Sequence, residues 1–233
     1  MDVAEAVVGR LRSAFEPEAD AEWAVGAAAY MRDQFPFLGL RTPVRRRLTK
    51  RALADAPSPT EAQLAATARL LWKQPEREFQ YAGCDLLAKH VGVAGPGFVD
   101  VAHELVVTKS WWDTVDALAA HTVGPLVRRH PELTEVMDDW IMSDDLWVAR
   151  TAILHQLTFR DDTDADRLLG YCRIRATDSE FFIRKAIGWA LRSYAAYEPE
   201  RVASFVADTP SLSPLSVREA TKGVDRARRR VAN

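Results

Sequence analysis

The chain has 233 residues, of which 48% are hydrophobic and 27% are charged, and its formal net charge is −2 at pH 7. This is the composition of an ordinary soluble globular protein, with enough residues for a substantial core in one elongated unit or two small domains. No apolar run approaches the roughly 20 residues of a membrane span. The two cysteines, Cys84 and Cys172, stand far apart without a CxxC pair, which argues against a zinc ribbon or a disulfide scaffold.

Almost every segment is predicted to be helical, because apolar residues recur at helical spacing and strand-like alternation is absent. Short turns are marked by Pro-Ser-Pro at 57–59, Gly-Pro-Gly at 95–97 and Ser-Pro at 213–214. The predicted helices cover about 2–14, 19–33, 43–55, 59–72, 76–91, 97–109, 111–122, 131–143, 145–158, 162–176, 179–195, 198–208 and 214–229.

Charge is unevenly distributed along these helices. Six acidic residues fall within 2–22, six basic residues follow within 41–51, and five more cations lie within 222–230. A polyanionic partner requires a local basic surface rather than a positive net charge of the whole chain, so this distribution is compatible with nucleic-acid binding. Solvated helix faces would give the same pattern, and the charges alone do not decide between the two interpretations.

Five of the predicted helices align at one position, with separations of 33, 37, 34 and 34 residues. A small residue there lets neighbouring helices approach closely. The aligned anchor residues are Ala82, Val115, Ala152, Ala186 and Ala220.

A period in this range, with two helices per unit, predicts an all-α helical solenoid whose units stack because no helix pair buries its apolar face alone. The Trp, Leu-Gly and Tyr pattern of tetratricopeptide repeats is missing. We expect one domain over 1–233, with N-terminal helices in 1–55 and repeats over about 59–230.

The segment 111–116 reads Trp-Trp-Asp-Thr-Val-Asp. The apolar phase predicts a buried stripe of Trp111, Val115, Leu118 and Thr122. Trp112, Asp116 and Ala120 then share the adjacent face, so an indole and a carboxylate project together. Such a pair suits a positively charged, ring-shaped partner. A core tryptophan beside a solvated or capping aspartate is the alternative interpretation.

Superposing the repeats extends this face to the two following units. Arg150 lies on the next anchor helix, and Lys185, Trp189 and Arg192 lie on the one after, at spacings of four and three residues. Stacked anchor helices would therefore bring two indoles, one carboxylate and several cations onto one surface.

These motifs resemble the AlkD family of bacterial DNA alkylation repair glycosylases, which are built from HEAT-like repeats. The resemblance covers nearly the whole chain, with several long motifs in the right order. They are YMRDQFPFLGLRTP at 30–43 followed by Arg45 and Arg46, PEREFQ at 75–80, TKSWWDTVD at 108–116, WVARTAIL at 147–154, EFFIRKAIGWALR at 180–192 and LSVREA at 215–220.

The resemblance implies a right-handed superhelical solenoid with a concave DNA-binding face. It also implies hydrolysis of the N-glycosidic bond of cationic alkylated purines in duplex DNA, such as 3-methyladenine, 7-methylguanine and bulky N3 or N7 adducts. The family is known for base-excision repair that leaves the lesion stacked, rather than flipping the base as most glycosylases do.

Each functional residue of the family has a counterpart in this chain. The catalytic aspartate matches Asp116, the two sugar-contacting tryptophans match Trp112 and Trp189, and the DNA-backbone arginine matches Arg150. A tyrosine that approaches the minor groove matches Tyr30. Further expected DNA contacts are Arg41, Arg45, Arg46, Lys109, Lys185 and Arg192.

Arg41 is a departure, because well-known members of the family have glutamine at this position. The difference is expected to affect minor-groove contacts or the range of lesions. The segment 41–51 otherwise keeps its basic character.

The residue types agree with this chemistry. An alkylated purine cation is already a good leaving group, and breaking its bond builds oxocarbenium character on the deoxyribose. Asp116 would stabilise that charge and orient a water, and the indoles of Trp112 and Trp189 would favour the same positive charge. Arg150 would fix a neighbouring phosphate.

No cofactor and no metal are expected, because the five histidines show no ligand spacing and no Gly-rich phosphate loop is present. No lysine stands out as a Schiff-base nucleophile, so a monofunctional enzyme without lyase activity is expected. The expected partner is double-stranded DNA with alkylated bases, bound by a monomer that needs no membrane and no obligate protein partner. With no signal-peptide pattern at the N-terminus, a bacterial cytosolic or nucleoid location is expected.

Two other functions remain open at this stage. A non-catalytic HEAT-repeat protein would bind distorted DNA in a salt-sensitive way without releasing a base. A protein-interaction solenoid would carry an apolar groove in place of a basic one.

Overall fold

The computed structural model describes residues 2–231, and within that range the chain is all-α, with fourteen α-helices and no strand. They are α1 (Val3–Phe15), α2 (Ala21–Tyr30), α3 (Thr42–Ala52), α4 (Glu61–Lys73), α5 (Arg77–His90), α6 (Phe98–Val107), α7 (Trp112–Leu118), α8 (Gly124–Arg129), α9 (Thr134–Trp140), α10 (Leu146–Leu154), α11 (Ala165–Ile174), α12 (Phe181–Tyr194), α13 (Pro199–Ala207) and α14 (Pro214–Val231). No helix of this part of the chain has the length and apolar character needed to cross a membrane.

All the predicted helices are confirmed, with ends that differ by a few residues. Several begin where a side chain satisfies the first free backbone N–H groups. Asp20 accepts from Trp23 N at the start of α2, and Thr60 and Gln63 form a reciprocal capping box at α4. Asp145 and Asp164 cap α10 and α11 in the same way.

One helix is longer than predicted. The predicted helix 111–122 continues past Gly124-Pro125, because a π-helical turn over Ala119–Val123 joins α7 directly to α8. Proline has no N–H for the usual bond four residues back, and the wider turn accommodates its ring without ending the helix. Gly124 permits a close approach, since a Cβ there would lie 2.1 Å from the His155 carbonyl oxygen.

The helices divide into two compact units, Met1–Lys109 and Ser110–Asn233. The expectation of one domain over the whole chain stays a prediction. In the first unit the core lies between α1, α3, α4 and α5. Its largest fully buried apolar side chains include Leu11, Phe15, Leu48, Leu71 and Phe79. By contrast, α2 buries none of its side chains, although it is rich in alanine and carries Trp23 and Tyr30.

A buried carboxylate fixes the segment before α3. Glu78, 1% exposed at the start of α5, accepts hydrogen bonds from the backbone N–H groups of Leu38 (3.0 Å), Gly39 (2.8 Å) and Leu40 (3.0 Å). Next to it, Arg77 is fully buried and donates to the Lys109 carbonyl oxygen at 2.9 Å. The PEREFQ motif is therefore structural in this unit, because it holds the loop that leads into the basic helix α3.

Replacing Glu78 by glutamine is expected to lower the free energy of unfolding by about 2–3 kcal/mol, because the amide cannot accept from all three N–H groups. Urea unfolding followed by circular dichroism measures this loss. Glu76→Gln, two residues earlier and not fully buried, is the matched control and should change stability by less than about 0.5 kcal/mol. Equal losses in both variants would show that Glu78 does not anchor the loop.

In the second unit the anchor helices pack in series, α7 on α10, α10 on α12 and α12 on α14. The aligned anchors Val115, Ala152, Ala186 and Ala220 are all fully buried, and so is Ala82 in the first unit. The anchor positions therefore lie on the buried faces of their helices. The same helices carry Asp116, Arg150 and Trp189, so their stacking positions the candidate site.

Candidate active site

Asp116 and Arg150 form a two-point ion pair between neighbouring anchor helices. Arg150 Nε donates to Asp116 Oδ1 at 2.7 Å, and Nη2 donates to Oδ2 at 2.8 Å. The side chains are only 13% and 3% exposed. Parallel bonds of this kind fix the plane of the carboxylate as well as its position. The repeat alignment predicted that Asp116 and Arg150 lie on neighbouring helices of one surface, and the two side chains are in direct contact.

The aromatic surroundings of Arg150 were not predicted. The guanidinium also donates from Nη1 to the Phe182 carbonyl oxygen and lies 5.9 Å from the centre of the Phe182 ring. Trp111, Trp147 and Phe182 pack on one another with ring centres 5.0–5.7 Å apart. Trp111 packs in this aromatic cluster, but it is only partly buried and precedes α7 as its extended N-cap residue, so the predicted helical stripe begins after it. These rings and the ion pair account for the burial of Arg150, which is 2% exposed.

Burial raises the pKa of Asp116 above its ordinary value, and this outweighs the opposing effects of the hydrogen bonds and charge of Arg150. The nearby Asp113 carboxylate acts in the same direction as burial. The ionised carboxylate is thus poorly solvated and held by a single cation. An anion in this state interacts strongly with a positive charge that develops beside it.

The two candidate tryptophans lie at different places in the second unit. Trp112 is the first residue of α7 and is partly buried, one helical turn before Asp116. The opposite, inward face of this helical segment is buried as predicted, with Val115, Leu118 and Thr122 in the core. Trp189 lies on α12, also partly buried, beside Arg192 and residues of α14.

A buried glutamate links two of the expected DNA contacts. Glu219 on α14 has a side chain only 6% exposed, and it pairs with Arg192, with Lys222 at 3.1 Å and with Lys185 at 3.8 Å. The hydrogen bond from Lys222 and the charges of Lys185, Arg192 and Lys222 hold the pKa of Glu219 below its ordinary value, so it remains an anion. Sequence reasoning missed Glu219, although a lone acid between Arg218 and Lys222 was a usable signal.

The residues of the first unit that were expected to contact DNA differ in how exposed their side chains are. Tyr30, at the end of α2, is 71% exposed. Arg41 is exposed and its guanidinium lies 4.2 Å from the centre of the Trp23 ring. Lys109 is partly buried and donates from Nζ to the Gln74 carbonyl oxygen at 2.5 Å.

The two neighbouring arginines of α3 differ. Arg46 has a side chain 66% exposed, whereas the Arg45 side chain is 5% exposed and pairs with Asp85 at 2.6 Å. The expectation of a surface contact therefore fits Arg46 and not Arg45. Arg45 lies three and four residues before the buried Leu48 and Thr49, so helical periodicity places it on the inner face of α3.

Within residues 2–231, no group of three or more His, Cys, Asp or Glu side chains is arranged to hold a metal ion. The chemistry visible in the second unit is instead that of a buried carboxylate, its guanidinium partner, two partly buried indoles and a set of cations. These groups suit a polyanionic substrate at which positive charge develops during reaction.

The fold and these groups define an all-helical protein suited to act on nucleic acid. The model of a family described as DNA alkylation repair enzyme matches residues 11–224. The chain belongs to this family. It is also similar to a solved structure described as "Predicted DNA alkylation repair enzyme from Enterococcus faecalis", with 33% identity, a TM-score of 0.81, and coverage of 88% of this chain and 95% of that chain. No curated protein matches the chain.

Proposed function

We propose that the protein is a monofunctional DNA glycosylase that releases cationic alkylated purines from duplex DNA by hydrolysing the N-glycosidic bond. The substrates are 3-methyladenine, 7-methylguanine and related N3 or N7 adducts. The observation that carries the proposal is the buried Asp116 carboxylate held at two points by Arg150, in a member of the DNA alkylation repair enzyme family.

Asp116 has the properties that the reaction requires. Loss of the purine leaves positive charge on the deoxyribose, and a poorly solvated carboxylate stabilises that charge more strongly than a hydrated one. The raised pKa of Asp116 also suits a group that accepts a proton from the attacking water. The cationic base leaves without protonation, so one carboxylate suffices. Trp112 and Trp189 hold the sugar and add their π faces to the stabilisation.

Arg150 acts in this mechanism mainly through Asp116. Its Nε and Nη2 hold the carboxylate, and Nη1 is bonded to the Phe182 carbonyl oxygen. Because the Arg150 side chain is only 3% exposed, the proposed mechanism does not include the phosphate contact that the family resemblance implies. We therefore assign Arg150 as a positioning residue that holds the Asp116 carboxylate.

The proposed DNA surface is the concave face of a right-handed solenoid of HEAT-like repeats. The serial packing of α7, α10, α12 and α14 supports this arrangement in the second unit. Exposed cations such as Arg46, Lys185 and Arg192 contact phosphates, and Tyr30 and Arg41 approach the minor groove. The lesion stays stacked in the duplex while the enzyme reaches the sugar, so no base is flipped.

Release of free base from a duplex that contains N3- or N7-methylpurines tests the proposal. The wild-type protein is expected to release methylated base with single-turnover kinetics well above spontaneous depurination and to leave an unmodified duplex intact. It should also leave the resulting abasic site uncleaved, because no lyase step is proposed. Salt-sensitive binding of both duplexes without base release would contradict the proposal and favour a non-catalytic DNA-binding protein.

A further inference from the structure

A cavity of about 520 Å³ lies beside Trp189 in the second unit, between α12 and α14. This volume is within the range of about 300–1,000 Å³ that is typical of ligand pockets. We call it the α12–α14 cavity, and it is lined by two aromatic and four cationic side chains: Trp189, Tyr197, Arg192, Lys222, Arg226 and Arg230. None of the residues that α14 contributes belongs to the DNA contacts expected from the sequence.

The cations of α14 differ in their partners. Lys222, Arg226 and Arg230 recur every four residues and line one face of the helix. Lys222 is held by Glu219, whereas neither Arg226 nor Arg230 has an ion-pair partner within residues 2–231. Arg228 points elsewhere, because it makes a two-point contact with Glu200 at 2.9 and 2.7 Å. The cavity therefore receives cations that no ion pair with residues 2–231 neutralises.

The walls of the cavity are set by close helix packing. A Cβ at Gly188 would lie 2.9 Å from the Glu219 Cβ, and a Cβ at Gly223 would lie 2.8 Å from the Arg192 Cα. Two glycines on facing helices thus allow α12 and α14 to approach closely. This approach places the buried Glu219 carboxylate where it orients both Arg192 and Lys222.

We propose that the α12–α14 cavity binds a phosphodiester of the DNA backbone, with Arg226 and Arg230 as direct phosphate contacts and with Trp189 and Tyr197 against the adjoining deoxyribose. Unneutralised guanidinium groups favour a phosphate, and aromatic faces beside them provide apolar contact for a sugar. The proposal rests on the proposed function for the identity of the polyanion. It adds a backbone contact on α14 next to the tryptophan assigned to the target sugar.

The test is the salt dependence of binding to an undamaged, fluorescein-labelled duplex, measured by anisotropy over a range of KCl concentrations. Arg226→Ala is expected to weaken binding about fivefold and to reduce the slope of log K against log[KCl] by about 1, which is the loss of one phosphate contact. Arg226→Ala combined with Arg230→Ala is expected to reduce the slope by about 2. Both side chains are exposed, so the unfolding midpoint should not change.

Arg228→Ala is the matched control, because it removes the same charge from the same helix outside the cavity and should leave the slope nearly unchanged. Equal slope changes in Arg226→Ala and Arg228→Ala would overturn the proposal. Tight binding of dAMP that Arg226→Ala abolishes, with unaltered duplex binding, would assign the cavity to a free nucleotide and would also overturn it. The duplex is undamaged, so this outcome is independent of whether the wild type releases methylated bases.

Discussion

Replacing Asp116 by asparagine is expected to lower the single-turnover rate of methylated-base release by roughly 10²–10³-fold while leaving DNA binding within a few fold of the wild type. The amide has nearly the shape of the carboxylate and keeps one acceptor for Arg150. It lacks the charge that stabilises the oxocarbenium-like sugar and the basicity that accepts a proton from water. The loss should therefore lie in the chemical step rather than in substrate binding.

The matched control is Asp113→Asn, which removes the same charge from the same helix, three residues before Asp116. Asp113 lies in the first turn of α7. It is expected to keep most of the activity. Circular dichroism and an unfolding curve for each variant separate loss of chemistry from loss of fold. An Asp116→Asn enzyme as fast as the wild type would remove Asp116 from the mechanism.

Much of the local structure was predictable because it follows helical periodicity within short segments. Spacing within one helix is enough to predict that Val115, Leu118 and Thr122 are buried. The repeat length is enough to predict the same for the anchor residues Ala152 and Ala186. The same argument, applied to α3, would also have identified Arg45 as a buried residue. The run of basic residues at 41–51 is typical of a surface contact, whereas the spacing from Leu48 and Thr49 indicates that Arg45 is buried.

The remaining features depend on packing between helices, which periodicity does not specify. Repeat alignment placed Asp116 and Arg150 on neighbouring units, but the two-point contact depends on rotamers and on the Phe182 carbonyl oxygen. Gly124-Pro125 is typical of a helix end, and only the approach of His155 shows why the chain continues through a π-helical turn. Glu219 orients cations from two helices, a role that requires the close approach at Gly188.

Replacing Arg150 by methionine is expected to lower the free energy of unfolding by about 3–5 kcal/mol at pH 7, because it leaves the Asp116 carboxylate buried without a partner. The deficit should depend on pH. Burial already raises the folded-state pKa of Asp116, and the loss of Arg150 removes the opposing effect, so the pKa rises further. The folded variant then binds a proton at pH values where the unfolded chain does not, and its stability falls as pH rises through that window. As pH decreases through the raised pKa, the carboxyl becomes neutral and the deficit relative to the wild type should shrink.

Urea unfolding of wild type and variant at a series of pH values measures this convergence. Any residual base release by the variant should lose activity on acidification at higher pH than the wild type does, since the ionised carboxylate is the active form. The Asp116→Asn and Arg150→Met double variant is the decisive comparison, because it buries neither charge. The double variant should be more stable at pH 7 than Arg150→Met alone. The coupling energy from this double-mutant cycle measures the interaction between Asp116 and Arg150. A deficit that is the same at every pH and unrelieved in the double variant would mean that Arg150 acts by packing against the aromatic cluster and not by holding Asp116.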